Sequence, residues 1–308
     1  MGGSTFRRTY FEGNSIYYTY YDRQYLYGGQ TKQGTSALPV KSGETYYIIM
    51  NVSGYSDAPF EIGVRARVFT TTERKLSAGT SKWTLASGMN RSAEYGKATK
   101  FKITPSKSGV IAVSLKEYGY SSSSATIQLY NKSGKAVSNA VNYYSSNGSA
   151  YFGVKKGNTY YIKVTSAYGS YDNNYKYGIK YSLTARTERS LGSKSNARTL
   201  KRKADFTNTL FLADGKTNTD WYKFKVTSKR KTCVKIDTKG ISSGDIYVYF
   251  YRGGKQVGTK QTIRSYSNGN EWELTYGTTY GKANSGTYYV KVVKGKNASG
   301  NYKIKYKY

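Results

Sequence analysis

The chain of 308 residues contains no histidine. That absence removes Ser-His and Cys-His nucleophile pairs and the usual zinc sites. Cys233 is the one cysteine, so no disulfide can close within the chain. In "TCVKI" it reads as a small apolar residue of a strand. No apolar run reaches the ~18 residues that a membrane span needs. The opening stretch "MGGSTFRRTYFEG" lacks the apolar core of a signal peptide, so the chain reads as mature and trimmed, or as a fragment. Acid is scarce: 17 Asp and Glu stand against 49 Lys and Arg, a net charge of +32. Such a charge attracts polyanions, including nucleic acid, anionic glycans and anionic lipid surfaces, or simply keeps the chain soluble.

The letters of two catalytic patterns occur without their context. "GISSG" (240–244) fits G-x-S-x-G, but a nucleophile elbow needs a strand-to-helix turn and a histidine partner. Glu271 and Glu273 share a strand face as a glycosidase pair might, with no equivalent earlier in the chain. No Gly-rich loop precedes a helix, and no RNA-binding strand motif stands out. The chain is expected to be non-catalytic.

What the chain has is tyrosine: 36 of them, in a sequence 37% hydrophobic and 16% aromatic. A tyrosine buries an apolar ring and keeps a polar tip, so it can fill a thin core or cover a surface. The tyrosines recur in repeats. A "TYY" strand appears as "GETYYIIMNV" from Gly43, "GNTYYIKV" from Gly157 and "GTYYVKVV" from Gly286. "TERKLSAGTSKWTL" from Thr72 matches "TERSLGSKSNARTL" from Thr187, 115 residues on. The match continues with "TKFKI" against "WYKFKV", then "ATIQLYNKSGKAVS" against "DIYVYFYRGGKQVG", then "YGIKYSL" against "YKIKYKY". Alternation of period two fills almost every apolar segment, and Ser, Gly and Asn clusters separate them. The expected fold is all-β: tandem antiparallel β-sandwich modules, jelly-roll-like, over 72–186 and 187–308. Residues 1–71 carry only the second half of the pattern, a partial module. Either a fragment boundary cuts it, or strands from elsewhere complete its open edge. The one stretch with a helical look is the T-E-R segment.

Alternation also sorts the faces. Tyr160, Ile162 and Val164 point one way and Tyr161 and Lys163 the other. Tyr288, Val290 and Val292 face the core, while Tyr289 and Lys291 face outward. Lys303 and Lys305 alternate with Tyr302, Ile304 and Tyr306, and Lys223 and Lys225 with Tyr222, Phe224 and Val226. If these strands share a sheet, the lysines build one cationic face; alternatively they blunt exposed edges. In "IYVYFY", Tyr247, Tyr249 and Tyr251 project outward together, and Tyr17, Tyr21 and Tyr130 hold aligned positions. A row of outward tyrosines grips a partner with little rotamer entropy lost, and it also pairs well across strands. The candidate ligand-binding residues are these six tyrosines with Tyr289, Lys291, Lys303 and Lys305.

"DGKTNTDWYKFKV", followed by the hairpin, TYY and closing strands, resembles a bacterial pre-peptidase C-terminal domain throughout 187–308. Residues 72–186 match more loosely. The resemblance implies a secreted sandwich beside extracellular proteases and other surface proteins. It is similar to collagen-binding domains, which hold ligand on outward tyrosines and often bind calcium. Glu188 and Asp220 sit at the family's acidic positions, and Glu73 matches Glu188. The middle module has "GKATKFKI", without Asp-Trp, and Ser190 stands where a further acid is expected. Calcium needs about six oxygen ligands, of which the resemblance implies Glu188 and Asp220, and these departures supply fewer acids than the family pattern. The expected partner is an extracellular macromolecule, a host glycoprotein such as collagen or immunoglobulin, or an anionic glycan. The alternatives are a spacer beside a secreted enzyme and sequence-tolerant nucleic-acid binding.

Overall fold

A computed structural model describes residues 2–12, 15–26, 43, 45, 74–86, 100–118, 125–143, 148–166, 175–187, 191–214, 218–265, 270–273 and 282–308. No helix occurs among them, and none of their segments is a helix long and apolar enough to cross a membrane.

The N-terminal strands β1 (Gly2–Glu12) and β2 (Ser15–Leu26) pair with each other as a long antiparallel hairpin. Strand β1 was not legible in the sequence. Tyr17 pairs with Tyr10, and Tyr21 falls on the bulge opposite the Phe6/Arg7 step. The first closing strand, 60–69, and nearly all of the first TYY repeat lie outside the described residues.

Nine strands follow: β3 (Arg74–Lys75), β4 (Ser81–Ala86), β5 (Lys100–Ile103), β6 (Gly109–Tyr118), β7 (Ala125–Asn131), β8 (Val141–Tyr143), β9 (Ala150–Val154), β10 (Tyr160–Ser166) and β11 (Tyr175–Ala185). They form a five-stranded sheet, β3-β5-β10-β7-β8, and a four-stranded sheet, β4-β11-β6-β9. Both sheets contribute to one core, where Phe101, Leu129 and Ile162 of the first pack with Val113, Phe152 and Ile179 of the second. The next nine are β12 (Arg198–Thr199), β13 (Phe206–Leu210), β14 (Thr219–Val226), β15 (Cys233–Ser243), β16 (Ile246–Arg252), β17 (Lys255–Ile263), β18 (Asn270–Glu273), β19 (Gly286–Lys294) and β20 (Ser299–Lys307). They repeat the plan as β12-β14-β19-β16-β17 and β13-β20-β15-β18. The fold is all-β, built of sandwiches. Among the described strands the pairs are antiparallel except β3 with β5 and β12 with β14, which are parallel.

The strands form because their apolar residues fall on alternate positions. In β14, and in β16 from Ile246 to Tyr251, the pattern of burial alternates residue by residue. Tyr222, Tyr288 and Tyr302 are wholly buried. Each such side chain is worth about 1.5–3 kcal/mol relative to exposure. Phe224 stacks between Tyr288 (5.8 Å) and Tyr306 (4.3 Å). Cys233 is buried in β15.

Three expectations are corrected. The T-E-R segment of the first copy is not helical: Arg74 and Lys75 lie in extended pairing with Phe101 and Lys102. The letter match at 115 residues is out of structural register. Leu76 donates its amide to the Lys102 carbonyl, and Leu200, not Leu191, does the same with Lys223. The matched Thr-Leu pairs fall on different sheets, Thr84-Leu85 in β4 beside β11 and Thr199-Leu200 along β14. The K-F-K match slips too. Tyr160 pairs with Ile103 and Tyr288 with Phe224, so Lys100 stands where Trp221 stands. Lastly, the lysine strands do not share a sheet. β14 and β19 lie in the five-stranded sheet, whereas the closing strand β20 crosses to the four-stranded one. The lysines are therefore divided between the two outer faces.

Candidate functional site

The outer face of the last five-stranded sheet gathers aromatic rings and cations. Trp221 and Lys223 of β14, Tyr289 and Lys291 of β19, and Tyr247, Tyr249 and Tyr251 of β16 are all half-buried there. Cross-strand register sets Trp221, Lys291 and Tyr249 in one row and Lys223, Tyr289 and Tyr251 in the next. The Lys291 Nζ lies 5.5 Å from the Trp221 ring centroid and 5.6 Å from that of Tyr249. Trp221 and Tyr251 meet at 5.2 Å, tilted by 40°. Lys194, from the segment leading to β12, caps the second row 4.6 Å from Tyr289 and 6.0 Å from Tyr251, and its Nζ donates to the Gly253 carbonyl. Lys260 of β17 lies 4.8 Å from the Tyr247 ring. Burial, and then the nearby Tyr249, raise the Tyr251 phenol above its ordinary pKa. Each cation–ring contact at such a site is worth about 0.5–1 kcal/mol, so the lattice holds its side chains in place before any partner arrives.

The same strands of the middle sandwich carry a reduced version. Tyr161 pairs with Tyr130 as Tyr289 pairs with Tyr251. The Lys163 Nζ sits 4.3 Å from the Tyr130 ring, and the Tyr130 hydroxyl donates to Gln128 Oε1 at 2.7 Å. Burial, with the neighbouring Lys100 charge, lowers the Lys163 pKa. A lysine at Trp221's position replaces a ring by a repelling charge, and the ring–cation pair found there among the described residues is Lys163 with Tyr130.

Of the ten candidate ligand residues, the structure brings five together: Tyr247, Tyr249, Tyr251, Tyr289 and Lys291. Tyr130 belongs to the equivalent face of the other sandwich, and Tyr17 and Tyr21 to the N-terminal hairpin. Lys303 and Lys305 lie on the opposite sheet, where Lys303 pairs with Asp237 and Lys305 forms a 3.0 Å ion pair with Asp205. Trp221 was missed as a face residue, although alternation from Tyr222 already aimed it outward. Lys194 was missed because its segment has no periodicity.

Asp220 points into the sandwich and is buried. A chain of hydrogen bonds ends on it. Asn208 Nδ2 donates to the Tyr222 hydroxyl at 3.2 Å, and the Tyr222 and Tyr302 hydroxyls lie 2.5 Å apart. Tyr302 gives its one hydroxyl hydrogen to Asp220 Oδ2 at 2.6 Å, so Tyr222 is the donor to Tyr302. The chain ties β14 to β13 and β20 across the core. Glu188 lies outside the described residues. Among the described residues no three acidic, histidine or cysteine side chains converge as a metal site.

The two sandwiches are also joined. The Gly153 carbonyl of β9 accepts from the Leu212 amide at 2.9 Å, and Leu212 packs into the middle core. A Cβ on Gly153 would come within 1.9 Å of the Leu210 carbonyl oxygen, so only glycine permits this approach. The two serines of "GISSG" act here as acceptors. Ser242 Oγ takes the Tyr151 amide at 2.7 Å and Ser243 Oγ takes that of Asn139 at 2.8 Å. Lys155 and Asp214 close the junction with a 2.5 Å ion pair.

No protein-family model matches the chain, and no curated protein does. Among solved structures it is similar to the pre-peptidase C-terminal domain of a collagenase from Bacillus anthracis, at 17% identity and TM-score 0.28, over 40% of this chain and 99% of that one. It is also similar to tripeptidyl peptidase 2, at 10% identity and TM-score 0.27, over 75% of this chain and 24% of that one. A third is the CUB1-EGF-CUB2 segment of human MASP-1/3, at 9% identity and TM-score 0.21, over 73% of this chain and 99% of that one. TM-scores this low bear on neither fold nor function; the fold is read from the strands themselves.

Proposed function

We propose that the chain is a non-catalytic extracellular binding protein that grips a macromolecular partner on the outer faces of its five-stranded sheets. The observation that carries this reading is Lys291 between Trp221 and Tyr249, with Tyr251 and Tyr289 alongside. Rings already held by neighbouring cations lose little freedom on binding, which is what a preorganised contact surface requires. The lysines disfavour cationic partners and favour a glycoprotein, such as collagen or immunoglobulin, or an anionic glycan. Two related faces on one chain supply avidity through effective concentration. The sequence resemblance to pre-peptidase C-terminal domains fits secretion and this use of outward tyrosines.

Retention of the full chain on immobilised collagen, immunoglobulin G and hyaluronan across a salt series tests the proposal. Binding to one probe that persists at 0.3 M salt supports it, because bulk charge attraction is screened there. Equal loss on every probe reduces it to non-specific attraction.

A second reading is favoured by the junction at Gly153 and Leu212: the sandwiches act as a stiff spacer for a neighbouring domain. A chain that binds no probe yet keeps one fixed shape in solution scattering supports that alternative.

A further inference from the structure

The junction carries a feature that the sheet faces do not explain. A cleft of about 690 Å³ opens where the loop after β5, the turn after β9 and the end of β11 meet Phe211 of the next sandwich. Its size falls within the ~300–1,000 Å³ usual for small-ligand sites. Lys107, Lys155, Lys156 and Arg186 line it. Backbone bonds fix the roots of these side chains around Ser108. The Lys156 amide donates to Ser108 Oγ at 3.0 Å, and the Arg186 amide donates to the Ser108 carbonyl at 3.0 Å. Gly157 donates to Pro105 at 3.1 Å, which ties the two loops together.

Among the described residues the charge there is unbalanced. Asp214 is the acid of these that reaches the junction, and both its oxygens are occupied. Oδ1 holds Lys155 at 2.5 Å, and Oδ2 accepts from the Phe211 amide at 3.3 Å and Asn218 Nδ2 at 3.2 Å. Among the described residues no acid pairs with Lys107, Lys156 or Arg186. The Ser108 hydroxyl, used as an acceptor by Lys156, keeps its own hydrogen to donate. Three cations and a hydroxyl donor around one opening form a receptor for a multiply charged oxyanion, and like charges held together by the backbone gain most from such a counterion.

We propose that this cleft binds a tetrahedral oxyanion, sulfate or phosphate, either as the free ion or as the sulfate ester of a glycan. The site is separate from the aromatic face and stands whether or not that face binds a partner.

The test is calorimetric titration of the full chain at constant ionic strength with sodium sulfate, inorganic phosphate, a heparin-type hexasaccharide and a neutral dextran. The oxyanions bind and the dextran does not. Tighter binding of the hexasaccharide than of sulfate assigns the site to a polymer, and equal affinity assigns it to the free ion. Lys107→Gln, Lys156→Gln and Arg186→Gln each weaken binding about fivefold, the effect of losing one unit-charge attraction near 4 Å in water. All three are exposed, so the melting temperature in chloride is unchanged. Trp221→Ala with Tyr249→Ala leaves oxyanion binding intact, which separates this site from the sheet face. The proposal is overturned if sulfate gives no more heat than chloride, or if the triple variant binds sulfate as the native chain does.

Discussion

The Gly153 carbonyl accepts the Leu212 amide at 2.9 Å, and through that bond a residue of one sandwich enters the core of the other. Neighbouring modules on a chain usually move freely unless a close apolar contact holds them. Here Leu212, the Ser242 and Ser243 hydroxyls and the Lys155–Asp214 pair act together. Leu212→Ala therefore destabilises the middle sandwich by about 2–5 kcal/mol, read as a lower denaturation midpoint. Gly153→Ala forces the sandwiches apart, because the added methyl meets the Leu210 carbonyl, and small-angle scattering reports a larger radius of gyration. Unchanged values in both variants would show that the junction is only a passive contact.

The buried phenols make stability depend on alkaline pH. Burial first, and then the Asp220 charge, raise the pKa of Tyr222 and of Tyr302. A phenol whose folded pKa is raised keeps its proton where the unfolded phenol, at 10.0, has lost it. Its contribution is complete below pH ~10 and is lost as pH rises through the folded value. Absorbance at 295 nm during a pH titration should therefore show surface tyrosines ionising first and a last group only together with unfolding. Tyr302→Phe flattens that alkaline dependence. It also costs about 1–3 kcal/mol near neutral pH, because Asp220 loses a donor.

Lys303 and Lys305 provide an internal control. They face away from the aromatic rows, across two sheets spaced ~10 Å apart, beyond the ~8 Å screening length of physiological salt. Lys303→Gln with Lys305→Gln should leave partner affinity within a factor of about two. Loss of the exposed Lys305–Asp205 pair should change stability by no more than ~1 kcal/mol. A large fall in affinity would mean that the wrong outer face has been assigned.

The sequence made the strands and their inner and outer positions legible, because alternation of period two survives in almost every segment. It could not set the register between copies. Sliding "TKFKI" against "WYKFKV" by two residues keeps every apolar position inward, so the letters favour a match that the hydrogen bonds reject. A one-residue slip would have turned the core outward and been detected. The division of the lysines between two sheets was hidden for a related reason: alternation gives a strand's faces but not its neighbours. The acceptor role of Ser242 and Ser243 depends on contacts about 90 to 100 residues away, which no local pattern carries. Trp221 was readable, and the letters of its motif drew attention to Asp220 instead.

The most direct test of the binding face is the double variant Trp221→Ala with Tyr249→Ala, measured by surface plasmon resonance on collagen, immunoglobulin G and hyaluronan at 0.3 M salt. Residues at the centre of an interface typically cost 2 kcal/mol or more when truncated, about thirtyfold in affinity. The prediction is a loss of at least that size on the probe that the native chain retains, with the melting temperature within a few degrees because both side chains are half-exposed. Native affinity in the folded double variant, or no retention of the native chain on any probe, would contradict it.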